Sequence, residues 1–127
     1  MLLTDKLPVK AAVKAATDSE YKIQVGSVIF DGKKILSVGC NGIRNHRKLH
    51  PKFQKFPGSG SIHAEIDAIL KARRDLKGMS LLVVRINKQG KLMLSKPCSN
   101  CIEYLNHVGI KNVYYSLSSY PYIAKLK

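Results

Sequence analysis

Short apolar, β-rich stretches alternate with helix-like segments along the second half of this chain, and that alternation constrains its fold more than any other feature. Ser80–Ile86 and Asn112–Ser116 both read as strands, and each is preceded by an amphipathic segment. Strands joined through a helix can share a sheet only if the helix crosses over one of its faces. Residues 62–74 fit such a helix: Ser61 can cap it, Ile66, Ile69 and Leu70 form an apolar stripe, and basic residues fill its last turn, with Gly78 beyond. Residues 98–108 fit another, ended by Gly109. The first half differs. Leu7–Thr17 reads as a helix with Pro8 in its opening turn. Residues 23–30 and 35–40 then form two apolar runs around Asp31-Gly32, a hairpin signal. Residues 91–94 allow a short extension, whereas Tyr120-Pro121-Tyr122 interrupts any regular element in the last eleven residues. The order predicts an α/β fold, a mixed sheet with helices on its faces.

At 127 residues the chain is expected to form one domain over residues 1–127, and about two-thirds of its surface can be buried on folding. Hydrophobic residues make up 45% of it, which excludes disordered and low-complexity classes. Apolar runs are far too short to span a bilayer, so no membrane partner is expected. The first ten residues mix Asp5, Lys6 and Lys10 with apolar residues and show no signal-peptide core, which points to a cytoplasmic, reducing location. Twenty-two Lys and Arg against eight Asp and Glu leave a net charge of +14. That bias favours anionic partners, although Lys is spread along the whole chain, as on an ordinary solvated surface. The most basic stretch is irregular. Residues 42–62 hold Arg44, Arg47, Lys48, Lys52 and Lys55, and a loop of that length in a compact domain is usually functional.

Two short segments carry the chemistry: His63-Ala64-Glu65 and Pro97-Cys98-Ser99-Asn100-Cys101. One imidazole and two thiolates give a tetrahedral Zn2+ three ligands and leave its fourth position open, as a catalytic centre requires. Cys98 and Cys101, spaced i and i+3 in the first turn of a helix, project from one face, and a helix N-terminus favours thiolates. His63 opens its own helix. If both helices begin at one end of the sheet, the three ligands converge. Glu65 then lies one step past a ligand, where it suits proton transfer better than coordination. A structural zinc site would need a fourth ligand, for which Cys40 and His107 are the candidates; each also has a plainer role, Cys40 as a strand-end thiol and His107 as a helix C-terminal cation.

His-Ala-Glu followed by Pro-Cys-x-x-Cys resembles the signature of the zinc-dependent cytidine/deoxycytidylate deaminase superfamily. The resemblance covers about residues 5–116. Gly39-Cys40-Asn41-Gly42, His63-Ala-Glu-Ile-Asp-Ala-Ile and Gly109-Ile-Lys-Asn-Val-Tyr-Tyr115-Ser look most like the deoxycytidylate deaminases. It implies a three-layer α/β/α fold around a mixed sheet of about five strands. It also implies that His63, Cys98 and Cys101 hold zinc, and that Glu65 moves protons between water, the ring nitrogen and the departing ammonia. Asn41 would contact the nucleotide sugar, or else cap a turn, and the backbone at Ala64 and Ser95 would meet the base edge. A homo-oligomer is implied as well.

Three features depart from the family pattern. The 42–61 loop is long and basic, the chain stops soon after Ser116, and Asp67 stands where nucleotide-specific relatives often carry Asn. The first reading is therefore deamination of a cytosine mononucleotide, deoxycytidylate foremost, with Arg44, Arg47 or Lys48 on its phosphate. A second is a deaminase of single-stranded nucleic acid or transfer RNA, with Phe53, Phe56, Tyr120 and Tyr122 as stacking platforms. A third is an inactive, zinc-stabilised nucleic-acid-binding module, against which Glu65 argues.

Overall fold

A computed structural model describes residues 7–19, 23–32, 34–41, 64–97, 99–119 and 121–126. In chain order these form α1 (Leu7–Thr17), β1 (Gln24–Asp31), β2 (Lys34–Cys40), α2 (Ala64–Ala72), β3 (Ser80–Ile86), β4 (Leu92–Met93), α3 (Ser99–Val108), β5 (Asn112–Ser116) and β6 (Ile123–Lys125). Five strands lie abreast in the order β2-β1-β3-β5-β6, and the two-residue β4 pairs with the end of β3. β1 is antiparallel to β2 and β3, while β3 and β5 are parallel. β2, β3 and β5 therefore all point the same way.

Side-chain parity divides the core into two layers. Val28, Leu82, Val84 and Ile86 face α1 and pack on Val9, Ala12 and Ala16. Ile29, Leu81, Val83 and Val113 face the opposite side and pack on Ile66 and Ile69 of α2 and on Tyr104 and Leu105 of α3. The result is a three-layer α/β/α arrangement. Two glycines set how closely the helices approach: a Cβ on Gly26 would lie 2.2 Å from the Ala12 carbonyl oxygen of α1, and one on Gly39 would lie 2.4 Å from the Ala68 nitrogen of α2.

Several expected boundaries shift. Asp31 pairs with Lys34, so Asp31 belongs to β1 and not to the turn, and Gly32 after it takes φ +60°. α2 ends at Ala72, short of 74, because Arg73 takes the left-handed conformation (φ 52°). Tyr120-Pro121-Tyr122 does not end the regular structure. Tyr122 N–H donates to Ser119 C=O and Leu117 N–H to Tyr122 C=O, and the chain returns as β6 against β5. Among the described residues the sheet thus has six strands, counting β4, where about five were expected. Among the described residues no helix is long and apolar enough to cross a membrane.

Candidate functional site

Strand direction decides which end of the sheet can hold a site. Ser27 Oγ donates to Ala64 C=O and Ser37 Oγ to Ala68 C=O, each at 2.7 Å, so α2 runs back along β2 from its C-terminal end. α3 starts after β4, beside the end of β3, and finishes beside the start of β3, where Gly78 N–H donates to Gly109 C=O and Lys111 N–H to Met79 C=O. Both helices therefore begin at the C-terminal end of β2, β3 and β5. In open α/β sheets that end is where ligands bind.

Two of the expected site side chains are placed by this geometry. Glu65, in the first turn of α2, is 4% exposed, and Cys101, in the first turn of α3, is fully buried. A buried carboxylate and a buried thiol, each at a helix start on the same face of one sheet, suit metal and proton chemistry. Tyr104, one turn beyond Cys101, is also buried, and burial pushes its phenol above the usual tyrosine value. It keeps its proton at neutral pH. His63 and Cys98 lie outside the described residues, as do Arg44, Arg47, Lys48, Phe53, Phe56, Tyr120 and Ser61, the expected helix cap. In the chain His63 directly precedes α2 and Cys98 directly precedes α3.

The alternative fourth ligands lie elsewhere. His107 is in the last turn of α3, six residues past Cys101 and so about 9 Å further along the helix. Cys40 pairs with Gly26, which faces α1, so its side chain lies on the opposite face of the sheet from Cys101. In the sequence one imidazole and two thiols remain as candidate donors, a set whose chemistry fits zinc with an open position.

The remaining expected site positions carry structural bonds. Asn41 Oδ1 accepts Val25 N–H at 3.0 Å and lies 2.6 Å from the Ser19 hydroxyl, while its Nδ2 donates to Ile23 C=O at 2.6 Å. Asn41 thereby ties the end of β2 to the chain entering β1, the turn-capping role. Ala64 C=O accepts the Ser27 hydroxyl, and Ser95 N–H donates to Ser116 C=O at 3.1 Å. Asp67 is 2% exposed. It accepts Cys40 N–H at 3.1 Å and pairs with Lys71 Nζ at 2.9 Å, which locks α2 onto the end of β2. Sequence reasoning passed over Ser27 and Ser116. A lone hydroxyl in an otherwise apolar strand was the available signal for each.

Comparisons with known proteins agree with this geometry. Residues 4–117 match the model of the cytidine and deoxycytidylate deaminase zinc-binding region. An uncharacterized deaminase in the luxG 3′ region of Aliivibrio fischeri is 34% identical over 100 residues, a match covering 72% of this chain and 56% of that protein. The chain thus spans little more than half the length of that relative. Among solved structures, cytidine deaminase from Burkholderia pseudomallei is similar, with a TM-score of 0.63 and 16% identity over 94% of this chain and 89% of that one. The dCMP deaminase of cyanophage S-TIM5 is similar with a TM-score of 0.56 and 21% identity, covering 88% of this chain and 84% of that one, and it is also solved in complex with dCMP and dUMP. At these identities the structural likeness speaks for the fold.

Proposed function

The chain belongs to the cytidine and deoxycytidylate deaminase family, and from that premise we propose that it hydrolytically deaminates a cytosine mononucleotide, converting deoxycytidylate and water to deoxyuridylate and ammonia. The observation that carries this reading is the pairing of buried Glu65 and buried Cys101 at two helix starts on one end and one face of the sheet.

His63, Cys98 and Cys101 would hold the zinc, whose Lewis acidity, when bound, makes water a nucleophile near neutral pH. Glu65 takes one proton from the attacking water as its oxygen adds to C4 of the ring and passes it to the ring nitrogen, then takes the second from the new C4 hydroxyl and delivers it to the amine as the C4–N bond breaks, which leaves a C4 carbonyl and ammonia. Its burial suits this work, since a carboxylate shielded from bulk water exchanges protons with the substrate alone. The amide of Asn41 spends one Nδ2 hydrogen on Ile23, and in this reading the other serves the sugar. Arg44 and Arg47 take the 5′-phosphate, for which a guanidinium fork is suited. Assembly as a homo-oligomer belongs to the same proposal.

Ammonia release measured across deoxycytidylate, deoxycytidine, cytidine and cytosine-containing single strands tests it. Deoxycytidylate is expected to be the preferred substrate, and Arg44→Ala or Arg47→Ala should raise its KM while barely altering that of deoxycytidine. Turnover of oligonucleotides alone, with binding that weakens steeply with salt, would reassign the substrate to a polymer. Zinc without turnover of any of them would leave a binding module.

A further inference from the structure

β3 changes neighbours along a single edge. β5 pairs with its residues 80–83 and β4 with Arg85 and Ile86. At such a changeover main-chain groups lose their ladder partners, and leaving them buried and unpaired is costly. Two hydroxyls fill this gap. Ser116 Oγ accepts Arg85 N–H at 3.1 Å and donates to Met93 C=O at 2.6 Å. Ser95 Oγ accepts Ser116 N–H at 2.9 Å and donates to Val83 C=O at 2.8 Å. The two oxygens lie 2.8 Å apart, and Ser95 N–H closes the knot on Ser116 C=O. Each hydroxyl has one proton to give, and each is placed to give it to a main-chain carbonyl. Ser116 is fully buried.

This knot binds β3, β4 and β5 to the segment at residues 94–97, which runs directly into α3. Pro97 has no N–H with which to anchor that segment, and among the described residues the main-chain bond that anchors it is Ser95 N–H on Ser116 C=O. We propose that Ser116 is a positioning residue: acting through Ser95, it sets the course of residues 94–97 and thereby the placement of α3 and its buried thiol, Cys101, relative to the start of α2. The inference rests on the zinc-deaminase reading above and adds to it a residue that touches neither metal nor substrate.

The test compares zinc-loaded full-length protein with Ser116→Ala, Ser116→Thr, Ser95→Ala and Asn112→Ala. Asn112 makes a good reference because its Nδ2 donates to Ser80 Oγ at 3.1 Å, a side-chain tie on the same β3–β5 pair at its other end. The first readout is the rate of zinc transfer to excess chelator, and the second is the absorption spectrum of the cobalt-substituted protein. Ser116→Ala should release zinc about tenfold or more faster, the effect typical of outer groups that orient ligands, and should shift the cobalt bands. Ser116→Thr should restore both, and Asn112→Ala should change neither while lowering Tm. Should Ser116→Ala fail to fold, Ser95→Ala carries the same expectation from a partly exposed segment. Wild-type release rates in Ser116→Ala, or equal acceleration in Asn112→Ala, would overturn the proposal and leave a purely structural knot. Wild-type protein that binds no zinc would overturn the functional reading and the positioning role together.

Discussion

The two ends of the sheet are closed by different means. Where β3 and β5 begin, the main chain bonds to itself: Gly78 to Gly109, Met79 to Leu76, Lys111 to Met79 and Ile110 to Leu105. Leu76 and Ile110 plug this end from inside. Where β2, β3 and β5 end, side chains make most of the closures: Asn41 on Val25 and Ile23, Asp67 on Cys40, and Ser95 with Ser116 on Val83, Arg85 and Met93. Main-chain closure asks for no particular side chain beyond the two glycines, Gly78 and Gly109, whose positive φ the turns require. Closure by side chains demands particular residues at particular positions. With the proposed chemistry at the second end, the comparison predicts that stability and chemistry are segregated along the strand direction.

If that segregation is real, substitutions at the two ends should separate into different observables. The largest effect is expected at Glu65. Glu65→Gln should lower kcat by about 10²–10⁴-fold, the usual contribution of a positioned proton-transfer group, with zinc content and Tm nearly unchanged. Retention of more than about a tenth of the rate would make Glu65 a structural carboxylate. Leu76→Ala comes next and should show the opposite pattern. Removing a side chain only 1% exposed should cost about 2–5 kcal/mol in chemical denaturation, with KM and kcat per folded molecule unchanged.

How much of this was legible in the sequence follows the same division. Periodicity located the core, and Leu7–Thr17, Ser80–Ile86 and Asn112–Ser116 emerge with the expected boundaries, because apolar patterning is what holds them. The candidate zinc donors could be named because a tetrahedral site demands a set donor spacing, and of those three the described residues include Cys101. The closures at the site end were not legible. Asp67 on Cys40, Ser27 on Ala64 and Ser116 on Arg85 are contacts between residues far apart in the chain, and a single Ser or Asp among apolar neighbours does not say which main-chain group it will meet. β6 was hidden for a related reason: a three-residue strand is defined by its partner β5 more than by its own composition.

An intermediate effect is expected at Asn41, whose amide supports the site end. Asn41→Ala removes the acceptor for Val25 N–H and the donor for Ile23 C=O, and should cost about 1–3 kcal/mol. A rise in the KM of deoxycytidylate beyond that of Asn41→Asp, which keeps the acceptor oxygen, would separate sugar contact from turn capping.

The smallest effect is expected where the two ends meet. Lys71, in the last turn of α2, reaches back to Asp67 one turn earlier, with its own side chain 45% exposed and that of Asp67 2% exposed. The Asp carboxylate also accepts Cys40 N–H, so it keeps a partner when the ammonium is removed. Water and salt screen the half-exposed Lys, and an i,i+4 pair of this kind contributes about 0.3–0.5 kcal/mol. Lys71→Ala should therefore lower stability by about that amount, less at high ionic strength, with kcat and zinc release unchanged. A loss several times larger and independent of salt would mean that the pair behaves as a buried one. Asp67 would then hold α2 on the sheet chiefly through its charge, and the boundary between the two ends would lie a full turn further from the site than the hydrogen bonds place it.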